Sequence, residues 1–124
     1  MSTRCCVKVI ESWGEGKDKI TRECMLYHHH DGYPEGVGHD LKRRFVPGDT
    51  KYPWDIDTIV NDLIKDRDDE YEFTAFDHPD IEYLYTIDCN AKTIKCNKAH
   101  WRFKTNEKGE EESYSEIGEE VPIP

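Results

Sequence analysis

The sequence predicts an α+β domain. The expectation is an antiparallel sheet of about five strands, in the order β-β-α-α-β-β-β, with two helices packed on one face. Three observations carry it. Apolar residues alternate along Arg4–Trp13 and again along Ile81–Asp88, as they do in half-buried strands. Ile56, Ile59, Val60, Leu63 and Ile64 instead follow helical spacing. Between these patterns lies Tyr27–Gly38, rich in histidine, glycine and tyrosine, around which the rest of the chain is organised.

The first strand is read over Arg4–Trp13, with Cys5, Val7 and Val9 on one side. Gly14–Asp18 supplies turn chemistry, and Ile20–His28 returns as the second strand of a hairpin. Its expected inward set is Ile20, Cys24, Leu26 and His28, with Tyr27 and His29 pointing the other way. Pro34 forces Tyr33 into an extended conformation. A short helix follows, about Val37 to Phe45, burying Val37, Leu41 and Phe45. Asp55 is a suitable N-cap for the second helix. Tyr71–Phe76, Ile81–Asp88 and Lys92–Lys98 then read as a three-stranded meander, with Asp77–Asp80 as a tight connection. Residues 1–104 form the expected domain. Residues 105–124 read as an acidic, mobile C-terminal tail unless Tyr114, Ile117 and Val121 dock it.

Composition narrows the function classes. With 124 residues, the chain suits one small core. A net charge of -10 repels nucleic acid and attracts basic proteins. The five cysteines are odd in number and form no Cys-x-x-Cys pair, which points to a reducing, intracellular and cytoplasmic setting. No stretch approaches the roughly 20 apolar residues of a membrane span.

The central stretch offers two kinds of chemistry. His28 and His30 fall on one side of an extended chain, and Asp31, His39, Asp40 or His78 could join them around a metal. The spacing matches no zinc signature, so no metal or other cofactor is assigned. Alternatively, Gly36 and Gly38 at a helix start offer N–H groups to a small anion or nucleotide. His28, His29, His30, Asp31, Tyr33 and Arg43 or Arg44 would complete that ligand site. A metal-dependent hydrolase is the weaker alternative, because His-His-His-Asp-Gly-Tyr-Pro-Glu-Gly lacks the spacer and second glycine of the HD-GYP phosphodiesterases that it superficially resembles. No serine sits in an elbow motif, and nothing marks Cys24 or Cys89 as a nucleophile.

The pattern Tyr27-x-His29-x-Asp31-Gly32-Tyr33-Pro34-x-Gly36-Val37-Gly38 resembles a motif in small proteins of bacteriophages and bacterial mobile elements. Asp80–Asp88 is similar to their second recurrent block, and the likeness spans about residues 1–98. The resemblance implies a phage or prophage setting, with no catalytic residues to carry over. Together with the acidity, it leads to a non-enzymatic binding protein that inhibits a host defence or nucleic-acid-handling complex. The partner would be a basic protein, met by an acidic face of Asp55, Asp57, Asp62, Asp66, Asp68, Asp69 and Glu70. The rival is a protein that sequesters a nucleotide-like signal in the Asp31–Gly38 loop. Either reading leaves a homo-oligomer open.

Overall fold

A computed structural model describes residues 3–75 and 78–124. The strands are β1 (Cys5–Trp13), β2 (Ile20–His28), β3 (Glu72–Phe73), β4 (Tyr83–Asp88), β5 (Thr93–Thr105) and β6 (Glu111–Val121). The helices are α1 (His39–Arg44) and α2 (Ile56–Ile64). The α+β class holds, but the sheet differs from the expected one. It has six strands in the order β3-β2-β1-β4-β5-β6, and β1 pairs parallel with β4 while the other pairs are antiparallel.

The difference has a physical source. Alternation shows which side chains share a face but not which strands are neighbours. β4 buries Leu84 on one face and Tyr85 and Ile87 on the other, a pattern suited to the middle of a sheet. It therefore lies beside β1, with Cys5 opposite Tyr83 and Val9 opposite Ile87. β3 goes to the far edge and pairs with β2 at Leu26–Phe73 and Tyr27–Glu72. Of the expected meander only the β4–β5 hairpin forms, and β6 supplies its third strand in place of β3. Of the strand expected over Tyr71–Phe76, Tyr71 turns into the core, and Phe76 lies outside the described residues, as does Asp77 of the following connection.

Both helices cover one face. Cys5, Val7, Val9, Leu26, Tyr85 and Ile87 from the sheet pack with Leu41 and Phe45 from the first helical segment. Ile56, Ile59, Val60 and Leu63 of α2 complete that core. The Asp55 cap is formed: its carboxylate accepts from the Thr58 N–H at 2.8 Å and from the Thr58 hydroxyl at 3.0 Å. The first helix departs from expectation at its start. Residues Pro34–Gly38 make one wide π-type turn, and regular helix begins only at His39. Ile20 is exposed rather than inward, because it pairs with Trp13 at the hairpin end, outside that core. The other face of the sheet carries a smaller cluster of Cys6, Tyr27, Ile81, Leu84 and Ala99.

Beyond residue 105 the chain turns back as β6 and pairs along β5 from Thr105–Glu111 to Cys96–Val121. Val121 and Ile123 pack against the main core, and the Lys42 ammonium donates to the Ile123 carbonyl at 3.1 Å. Among the described residues, no helix is long and apolar enough to cross a membrane.

Candidate functional site

β2 ends at His28, and the chain then bends sharply under several restraints. Asp31 takes a left-handed φ of 54°, a conformation that aspartate tolerates better than most residues. The Gly32 N–H donates to the Thr3 carbonyl at 2.9 Å, and the buried Tyr85 hydroxyl donates to the Gly32 carbonyl at 2.7 Å. The Val37 N–H reaches the Asp31 carbonyl at 2.8 Å, and the Gly36 N–H reaches the Tyr33 carbonyl at 2.9 Å. Gly36 is required by close approach: a Cβ there would stand 2.2 Å from the Asp31 carbonyl oxygen.

Against this bend lies the segment after α2. Together they enclose an open cleft of about 530 Å³. The bend contributes His28, His30, Asp31, Gly36 and Val37, and α1 adds Asp40. The opposite wall is Asp68, Asp69, Glu70 and Tyr71. Glu70, with φ 61°, is a second wall residue held left-handed, an unfavourable state for glutamate.

Arg44 ties the two walls together. It is only 12% exposed at its side chain, and its guanidinium donates to Asp40 at 2.9 Å, to the Asp62 carbonyl at 3.2 Å and to the Asp69 carboxylate. Asp40 also accepts from the Tyr71 hydroxyl at 2.9 Å and from Arg43 at 2.8 Å. Burial alone would raise the Asp40 carboxyl. The hydrogen bonds from Tyr71 and Arg43 and the charge of Arg44 outweigh it and hold the group below the usual carboxylate range. A depressed folded-state value adds stability above the unfolded value, lost as pH falls through the folded one. Asp40→Asn should therefore flatten the loss of stability below about pH 4. Urea unfolding of both proteins across that range checks this, and parallel curves would refute it.

His28 is the buried member of the histidine run. Its Nε2 lies 2.8 Å from the Asp69 carbonyl, which can only accept, so Nε2 carries a proton. Its Nδ1 is buried without a partner, and the ring leans on Tyr71 with centroids 4.7 Å apart. His30 faces Glu70 at 3.8 Å. His29 points to the other side, beside Glu72 at 3.7 Å and edge-on to Tyr27.

The cleft joins parts of both sequence-derived sites. His28, His30, Asp31 and Gly36 of the loop meet Asp68, Asp69 and Glu70 of the acidic set. The remaining residues do not line it. Tyr33 is exposed and donates to Asp31 at 3.2 Å, Gly38 packs under Tyr85 and Ile123, and Arg43 pairs with Asp40. Asp55 caps α2, Asp62 pairs with Lys65 at 2.7 Å, and Asp66 accepts from the Asp68 N–H at 3.0 Å. Asp57 lines a separate groove with Cys24, Ile56, Val60 and Phe73. The expected acidic face is therefore split: Asp55, Asp62, Asp66 and Asp69 are engaged in local bonds, and Glu70 sits beside His30.

The sequence leaves Arg43 and Arg44 as alternatives beside the loop and places Tyr71 on a strand; it does not show that Arg44 and Tyr71 join the two walls. The only hint was the spacing of Asp40 and Arg44, one helical turn apart. Among the described residues, no three His, Cys, Asp or Glu side chains converge as a metal ion would require. The five cysteines are free thiols. Burial raises the Cys24 thiol and pushes that of Cys89 up to about 12, so neither supplies a thiolate at neutral pH. Comparison with known proteins returns no matching family model, curated protein or solved structure.

Proposed function

We propose that this is a non-enzymatic binding protein that takes a basic group of a protein partner into the cleft between the His28–Val37 bend and Asp68–Tyr71. The observation that carries this reading is the lining itself. Asp31, Asp40, Asp68, Asp69 and Glu70 contribute carboxylates, and the nearest buried cation, Arg44, engages only Asp40 and Asp69. Asp68 faces the cleft, and among the described residues Asp31 is held only by the exposed Tyr33 hydroxyl and Glu70 only by the exposed His30 ring at 3.8 Å, so all three can turn to an incoming lysine or arginine. An acidic protein that captures a basic surface in this way fits the phage or mobile-element setting implied by the resemblance, with a host defence or nucleic-acid-handling complex as its target.

The rival reading, an anion or nucleotide in the loop, needs free donors at the bend. The Gly36 and Val37 N–H groups are bonded within it, and the lining carboxylates repel phosphate. The test is titration calorimetry with a tri-arginine peptide at low and high salt. Binding is expected to weaken as ionic strength rises, and Asp68→Asn with Glu70→Gln should lower affinity roughly tenfold, about 1.4 kcal/mol. Equal affinity for the double variant and the parent would overturn the assignment, as would tighter binding of a nucleotide.

A further inference from the structure

β6 closes one side of the sheet, and its hydrogen-bond phase can be worked out. At the hairpin turn the Asn106 N–H donates to the Glu110 carbonyl at 2.8 Å. Bonded pairs alternate in an antiparallel ladder. Lys104–Glu112, Arg102–Tyr114 and His100–Glu116 are therefore bonded pairs, and Phe103–Ser113, Trp101–Ser115 and Ala99–Ile117 are not. The Ala99 N–H agrees with this phase: it turns away from β6 and donates to the Glu82 carbonyl at 2.9 Å. On β6, the N–H and C=O groups of Ser113, Ser115 and Ile117 consequently point out of the sheet. Among the described residues, no further strand pairs with them.

The side chains around this edge are selective. Trp101 and Phe103 stack at 5.9 Å and are 54% and 63% exposed. Their cross-strand neighbours on the same face are Ser115 and Ser113, too short to cover the rings, so the aromatic shelf continues to the open edge. The opposite side of β6 carries Glu112, which accepts from Asn106 at 2.9 Å, and Glu116, which pairs with Arg102 at 3.3 Å; both are exposed, and the strand's glutamates outnumber these partners. The strand holds five glutamates and no lysine or arginine. A second copy pairing edge to edge would set glutamate near glutamate, which disfavours self-association. A cationic strand meets no such penalty.

We propose that the free edge of β6 docks an extended basic segment of a partner protein, which joins the sheet beyond β6. Its N–H and C=O groups bond those of Ser113, Ser115 and Ile117. Alternate apolar side chains lie on the Trp101–Phe103 shelf, and the intervening lysine or arginine residues lie beside Glu112 and Glu116. This surface is separate from the cleft and does not depend on the function proposed for it.

The test uses a short peptide of alternating lysine and valine, the same peptide with alternate amides N-methylated, and a glutamate–valine peptide of equal length. With the intact protein, the parent peptide should slow amide exchange at Ser113, Ser115 and Ile117 at least tenfold. The N-methylated peptide should bind at least tenfold more weakly, and the glutamate peptide should not bind. Ser113→Pro should weaken binding to a similar degree with the fold kept, because the N–H it removes points away from β5, whereas Ser113→Ala should bind normally. Asp68→Asn with Glu70→Gln should leave this binding in place, which separates it from the cleft. Equal binding of the N-methylated peptide would overturn the proposal, because charge alone would then suffice. Protection mapped to the cleft would also overturn it, as would a protein dimer that already protects the edge amides.

Discussion

Replacing Arg44 with methionine should remove about 3 kcal/mol of stability, the largest loss expected from any single polar side chain in this protein. The guanidinium is nearly buried and joins Asp40 on α1, the Asp62 carbonyl at the end of α2 and the carboxylate of Asp69. Methionine keeps much of the volume but leaves the Asp69 carboxylate and the Asp62 carbonyl without this donor, and Asp40 with only Tyr71 and Arg43. Arg44→Lys should recover only part of the loss, because an ammonium cannot span three acceptors with a planar fork. The damage extends to the cleft, since the Asp69 carbonyl holds His28. Denaturant unfolding at neutral pH measures the effect. A loss below about 1 kcal/mol would show that water replaces the guanidinium at little cost.

Gly36→Ala is the second large effect, expected at about 2–3 kcal/mol. Its φ does not require glycine; the limit is steric. The new methyl would fall 2.2 Å from the Asp31 carbonyl oxygen, a backbone atom that also holds the Val37 N–H. Relief means opening the wide turn and moving Asp31 and Val37, which both line the cleft. At Gly38 the added Cβ would instead meet Ile123 Cγ2 at 3.0 Å and the Tyr85 ring at 3.2 Å, side-chain atoms that can shift. Gly38→Ala should therefore cost less. Thermal melts of the two variants compare them directly, and a smaller drop for Gly36→Ala would contradict the steric account.

Local rules carried well where the pattern was strong. The alternation of Cys5, Val7 and Val9, the Ile56–Leu63 stripe and the Asp55 cap all appear as expected, because each depends on neighbours within a few residues. Pairing order was not legible, because the position of β4 beside β1 depends on burial of both its faces and not on any local signal. β6 was faint for a different reason. Its sparse apolar residues, Tyr114, Ile117 and Val121, sit among glutamates, and the strand is held mainly by main-chain bonds to β5, with Val121 touching the core. The candidate site was legible in pieces. The His28–Gly36 bend and the Asp68–Glu70 run were both visible, but nothing in the one pointed to the other. Their meeting depends on Arg44, one cation among the three of Lys42-Arg43-Arg44, and only the folded chain shows which of these turns inward.

The parallel pairing of β1 with β4 has a kinetic consequence. Cys5 meets Tyr83 and Ile10 meets Asp88, so the centre of the sheet is assembled from opposite parts of the chain. Such high contact order slows folding, because a long loop must close before its contacts repay the entropy. During synthesis the β1–β2 hairpin emerges with one flank of β1 bare until β4 has left the ribosome. A nascent chain halted in that interval would be a natural client for chaperones.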